Sequence, residues 1–128
     1  MKGILWAVPV DGLGPMDKYK LFPIVPHTHV TIAYGVDRDH VEQWIRYEFT
    51  GTVTGHAIGE SAHCLLVRLP SKIPFTGTFP HITLSHSPDV GPIAAEEMIK
   101  TGNCNLVQWD LMLPIAFRLE FLEWVQIN

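Results

Sequence analysis

The chain has 128 residues and a mass of 14.4 kDa, which is the usual size of a single domain with one core. Its apolar fraction of 47 % and charged fraction of 17 % are typical of a globular protein and argue against a disordered or fibrous one. A net charge of −4 disfavours a protein that covers duplex DNA or an anionic membrane, because both tasks need a broad basic face.

The first half of the chain alternates apolar segments with turn formers. Residues 3–10 are apolar, but the run is too short to span a membrane and lacks a cleavage site, so it predicts a buried first strand. Glycines and prolines predict a long loop over residues 11–26. The β-branched and aromatic residues of 27–36 predict a second strand, and Asp37 is placed to cap a helix that extends to about Phe49.

The rest of the chain predicts five more strands and a second helix. Residues 52–58 and 63–69 are expected to form a hairpin that turns around residues 59–61. A strand over residues 81–85 is followed by a helix that Gly102 and Asn103 end. Two last strands are predicted over residues 106–113 and 115–127.

Histidine is abundant, with seven residues against nine lysines and arginines, and its ordinary pKa lets it exchange protons near neutral pH. Two histidines begin matching tetrapeptides, HVTI at residues 29–32 and HITL at residues 81–84. A repeat with a 52-residue period in two copies is not a solenoid, so it predicts two strand-helix lobes related by a pseudo-twofold axis. The match extends to Asp37 and Asp89, and then to the apolar positions Val41 and Ile93.

Each H-x-T unit combines a proton-transfer group with a hydroxyl donor on one strand face. Cleavage of a phosphodiester needs one group that takes a proton from the attacking oxygen and another that gives a proton to the leaving oxygen. His29 and His81 can fill these roles, while Thr31 and Thr83 can donate hydrogen bonds to the non-bridging oxygens. These four residues are the predicted catalytic set.

Four further residues are candidates for substrate binding. His27 shares the face of His29, and Tyr34 closes the same strand, although strict alternation puts Tyr34 on the opposite face. Arg68 could hold a phosphate near a strand end, and Ser85 completes the set. Other aromatic residues that could stack on a base are Trp6, Phe79 and Trp109.

The two tetrapeptides, their separation and the order of elements resemble the 2H phosphoesterase superfamily, which includes LigT-like RNA cyclic phosphodiesterases and the cyclic phosphodiesterase domain of tRNA ligases. The resemblance implies an α+β fold over residues 1–128, with two lobes of concave antiparallel sheet and one main helix per lobe. It also implies hydrolysis or transesterification of nucleotide phosphodiesters without a metal or cofactor, carried out by His29, Thr31, His81 and Thr83.

The expected partner is a small nucleotide or an RNA end that bears a phosphodiester, not long duplex DNA or a membrane. We expect the protein to be a monomer. We expect it in the cytoplasm, because Cys64 and Cys104 are too few for the disulfide framework of a small secreted protein. Phage-encoded members of the superfamily cleave cyclic oligonucleotide signals of bacterial immunity, and the resemblance leaves that branch open.

Two hypotheses that assign the chain to other functional classes remain open at this point. The chain could be a non-catalytic module of the same fold that binds a nucleotide or RNA. It could instead be a metal-dependent hydrolase, since a His-x-His spacing on a strand puts two imidazoles on one face. The ligands would then come from His27, His29, His81 and His86.

Overall fold

The computed structural model describes residues 2–14, 21–91 and 93–123, apart from the side chain of residue 111, and closes six antiparallel strands into a barrel. The order around the barrel is β1-β2-β5-β4-β3-β6, and β6 returns to β1. The strands are β1 Lys2–Pro9, β2 Val30–Asp37, β3 Glu48–Gly59, β4 Ala62–Arg68, β5 His81–His86 and β6 Cys104–Glu123. The helices are α1 Arg38–Val41, which a 3-10 turn over Glu42–Trp44 follows, and α2 Ala94–Thr101.

The predicted α+β fold with two lobes and one main helix per lobe is wrong, because the described chain is mostly β and its strands share one closed sheet. The physical reason is β6, which pairs with β3 on one side and with β1 on the other. The sequence predicts two strands here with a break at Pro114. Proline removes one backbone donor from the ladder, but Pro114 still lies opposite Thr52, and β6 pairs with β3 on both sides of an interruption at residues 109–112.

The helix predicted after Asp37 is also wrong beyond its first turn. The backbone of Ile45 is extended, Arg46 has a φ of 73°, and β3 begins at Glu48, which pairs with β6. Pairing of β3 with β6 from Glu48 onward therefore replaces the predicted helix. Ile93, its expected counterpart in the second half, precedes α2 and is 61 % exposed.

The predicted end of α2 is confirmed. Gly102 adopts a φ of 73°, which favours glycine, and its N–H donates to the carbonyl of Ile99. The N–H of Asn103 donates to the carbonyl of Met98 at 3.0 Å, which completes the C-terminal cap. In the part of the chain that the structure describes, no helix has the length and apolar character needed to cross a membrane.

The apolar side chains form two clusters, one inside the barrel and one outside it. Alternate residues of the strands fill the interior, and fully buried examples are Leu5, Val30, Ile32, Ile82, Phe117 and Leu119. On the outer surface of β3 and β4, α2 packs Ala95, Met98 and Ile99 against Ala57, Ala62 and Cys64. The helix contacts β3, β4 and β5 and thus covers one part of the outer surface.

A buried histidine lies on the inner face of β4. His63 is 1 % exposed, and neither of its ring nitrogens has a hydrogen-bond partner among the residues that the structure describes. Its ring lies edge-on to the ring of His56, with 5.4 Å between the centroids. Burial, and then the charge on His56, hold the pKa of His63 below its ordinary value of 6.5. The native barrel therefore holds the neutral form of this ring.

Replacing His63 with leucine is expected to stabilise the protein by about 1 kcal/mol near pH 7, because a buried polar group without partners costs about 1–3 kcal/mol. The gain should grow below pH 6.5, because the unfolded chain then binds a proton that native His63 does not, so wild-type stability falls until the lowered native pKa is reached. Thermal unfolding at about pH 7 and about pH 5.5 measures both effects.

His40→Leu, at an exposed position of α1, is the matched control for this substitution and should leave the pH dependence of unfolding unchanged. A lower melting temperature for His63→Leu at both pH values would contradict an unpaired, neutral His63.

Candidate active site

β2 and β5 meet through one residue pair, Val30 with Ile82, and both side chains are fully buried in the barrel. Because side chains alternate along a strand, the residues on either side of this pair point to the outer surface. The antiparallel register sets the histidine of each strand beside the threonine of the other. These four half-buried residues are His29, Thr31, His81 and Thr83. The structure therefore brings the whole predicted catalytic set together.

Both histidines make the same backbone hydrogen bond. Nδ1 of His29 lies 2.7 Å from the carbonyl oxygen of His27, and Nδ1 of His81 lies 2.8 Å from the carbonyl oxygen of Phe79. A carbonyl oxygen can only accept, so Nδ1 must carry the hydrogen in each ring. This assigns the same tautomer to both histidines and leaves both Nε2 atoms to accept or donate a proton.

The segments before the two histidines cross over to the opposite strand in the same way. Ile24, five residues before His29, exchanges two backbone hydrogen bonds with His86 of β5, at 2.9 and 3.0 Å. Thr76, five residues before His81, donates its backbone N–H to the carbonyl of Ile32 in β2 at 2.9 Å. Each histidine segment is thus held by the strand that carries the other histidine, which fixes the two rings relative to each other.

The surroundings of His29 favour its neutral form. Burial is the largest effect and lowers the pKa of His29 below 6.5, and the charges on His27 and His81 lower it further. The hydrogen bond to the carbonyl of His27 opposes them and raises it, but the net pKa remains lowered. Near pH 7 the Nε2 atom of His29 therefore presents a lone pair, as a proton acceptor requires.

Tyr34 lies on the same outer surface as His29, in contrast to the prediction from strict alternation. A register shift against β1 puts Ile32 and Ala33 in succession into the barrel interior. The shift returns Tyr34 to the side of Thr31 and leaves it 68 % exposed. An irregularity of one residue, which periodicity does not reveal, thus gives the candidate site an exposed aromatic ring.

The other three candidate binding residues have different positions. His27 is exposed and precedes His29 on the outer surface. Arg68 is exposed, lies two residues beyond the partner of His81 on β4, and donates from Nη2 to the Sδ atom of Met112 at 3.3 Å. Ser85 is fully buried and does not join the site: a register shift against β4 turns it inward, where its Oγ accepts the N–H of Phe22 at 3.2 Å.

Two other possible sites differ from the histidine pair. Across the described residues, no three histidine, cysteine, aspartate or glutamate side chains come close enough to hold a metal ion, including the set suggested around His27 and His29. A groove of about 650 Å³ lies between α2 and the β3–β4 turn, and its ionisable side chains are Glu60 and Glu97. Carboxylates repel a phosphate, so this groove does not suit a nucleotide.

No family model matches this chain, and no curated protein or solved structure shows significant similarity to it. The candidate site therefore rests on its own geometry.

Proposed function

We propose that the protein is a metal-independent phosphodiesterase that cleaves 2′,3′-cyclic phosphates or RNA-type and cyclic oligonucleotide linkages by two-histidine acid-base catalysis. The observation that carries the proposal is the pair of equivalent Nδ1 hydrogen bonds, from His29 to residue 27 and from His81 to residue 79. They give both rings the same tautomer and leave two Nε2 atoms free for proton transfer on adjacent strands. Such a site does not require a particular fold, because unrelated folds can carry the same chemistry.

The arrangement can serve both substrate classes with one set of groups. For a cyclic phosphate, one imidazole takes a proton from water as the new P–O bond forms, and the other gives a proton to the departing ribose oxygen. For an intact RNA-type linkage, the ribose 2′-hydroxyl replaces water and a cyclic phosphate is the product. Thr31 and Thr83, beside the rings, donate hydrogen bonds to the non-bridging oxygens, where negative charge develops.

The remaining parts of the proposal concern the substrate and its setting. Tyr34 and His27 offer rings for a base, and Arg68 offers a cation on the same outer surface. A small nucleotide or RNA end suits a chain of net charge −4 better than long duplex DNA does. Cys64 and Cys104 are free thiols, which is consistent with the reducing cytoplasm.

The test is a panel of 2′,3′-cyclic nucleotides, short RNAs and cyclic oligonucleotides, each incubated with the protein in EDTA. We expect turnover of at least one class that chelation does not reduce. Turnover that disappears in EDTA contradicts the metal-independent mechanism. Binding without turnover across the panel would favour the non-catalytic nucleotide-binding module, and the class that is cleaved identifies the substrate, including the cyclic oligonucleotide branch.

A further inference from the structure

The two catalytic histidines have equivalent backbone geometry but unequal neighbours. The Trp6 ring, which points outward from β1 opposite Thr31, lies 4.6 Å from the ring of His29 and 5.1 Å from the ring of His27, measured between centroids. One indole thus packs against both imidazoles of the His-x-His segment. The residue opposite the equivalent Thr83 on β4 is Cys64, and within the described residues His81 has no aromatic ring contact.

We propose that Trp6 and His27 are positioning residues that make the two histidines chemically unequal, so that His29 takes the proton and His81 gives it. The proposal deepens the function proposed above and rests on it. His29 Nε2 accepts the proton of the attacking oxygen as that oxygen bonds to phosphorus. The bond from phosphorus to the leaving oxygen breaks as that oxygen takes the Nε2 proton of His81. Proton exchange with water then restores both rings.

The physical basis is the set of charges and surfaces that face His29. Its ionisable neighbours are His27 from its own segment and His81 from β5, and positive charge on either opposes protonation of His29. From β1 it faces the uncharged Trp6, which covers the ring and keeps His27 close. Trp6 therefore adds to the burial of the His29 ring and packs beside it an imidazole whose positive charge opposes protonation of His29.

The test combines NMR titration of individually assigned histidines with the pH profile of turnover on the substrate found in the panel. In the wild type, the acidic limb of kcat/KM should follow the titration of His29, whose pKa is lowered by burial and by the charges on His27 and His81. His27→Gln removes the neighbouring charge, so it should raise the pKa of His29 and move the acidic limb to higher pH without moving the basic limb. His40→Gln, on exposed α1, is the matched control and should move neither limb.

Substitutions of the uncharged Trp6 test whether its ring positions the imidazole of His29. Trp6→Leu keeps apolar cover but loses the flat ring, and it should lower kcat by up to about a hundredfold with little change in KM, the size of effect expected when a reacting group is displaced by about 1 Å. Trp6→Phe retains a ring and should restore most of the loss. Equal loss in both variants would mean that Trp6 is merely structural and would overturn its positioning role.

The outcomes separate this inference from the proposed function. If the protein turns over substrate but the acidic limb of kcat/KM does not follow His29, the assignment of base and acid is overturned while the phosphodiesterase stands. If nothing in the panel is cleaved, the proposed function fails and the assignment fails with it.

Discussion

Replacing either His29 or His81 with asparagine should reduce kcat by about 10²- to 10⁴-fold, the usual contribution of a positioned acid or base. Asparagine keeps an N–H donor near the position of Nδ1, so the carbonyl oxygens of His27 and Phe79 retain a partner. Asparagine cannot exchange a proton at neutral pH, so the substitution removes proton transfer and keeps the backbone hydrogen bond. Initial rates in EDTA, on the substrate that the wild type cleaves, measure the loss.

A double variant that carries both His29→Asn and His81→Asn tests whether the two imidazoles act in one step. If the two imidazoles act in one step, the double variant should be scarcely slower than the worse single variant, because groups that act as a unit are strongly non-additive. His40→Asn, at an exposed site on α1, controls for the loss of a histidine as such. Activity within about tenfold of wild type in either single variant would remove that histidine from the mechanism.

Replacing Phe117 with alanine should lower the free energy of unfolding by about 3–5 kcal/mol. Phe117 is fully buried in the barrel, and its ring stacks on that of Phe49, its partner across the ladder, with 5.5 Å between centroids. A Cβ added at Gly51 would lie 2.8 Å from the Phe117 ring, so the backbone already approaches the ring closely. The smaller side chain leaves a cavity that this rigid surrounding fills only in part.

Thermal or urea unfolding measures this effect, and the melting temperature should fall by roughly 10–20 °C. Leu122→Ala is the matched control, because Leu122 belongs to the same strand but is 43 % exposed, and its loss should change stability by well under half as much. Equal effects of the two substitutions would contradict the inward orientation of Phe117 and, with it, the closed barrel.

Several local features of the fold can be predicted from the sequence. Short apolar or β-branched runs predict β1, β2, β4 and β5, and Gly102 predicts the end of α2 because few residues adopt its φ readily. Closure of the sheet cannot be predicted in this way, because alternation gives the face of a residue and not the strand beside it. The chain after Asp37 shows the consequence: helical spacing is present, but pairing of Glu48 with β6 overrides it.

The candidate site can likewise be predicted from the sequence only in part. His29, Thr31, His81 and Thr83 can be found from a repeated tetrapeptide, and the structure places them around one residue pair. The facing of Tyr34 and Ser85 cannot be found, because a single-residue register shift reverses the face of each. The contact of Trp6 with two imidazoles depends on the β1–β2 register, and no signal in the sequence specifies that register.

The single pair between β2 and β5 limits which substitutions the barrel can tolerate. Val30 and Ile82 contribute to the core, yet each is adjacent in the chain to one histidine of the proposed catalytic pair. Cores usually accept apolar exchanges of similar volume at a cost below about 1.5 kcal/mol. Under the proposed mechanism, a backbone shift of about 1 Å at either position would leave folding intact but displace a proton-transfer group enough to cost about a hundredfold in rate. We therefore expect the spacing of the histidines to restrict the side chains at positions 30 and 82 more than stability does.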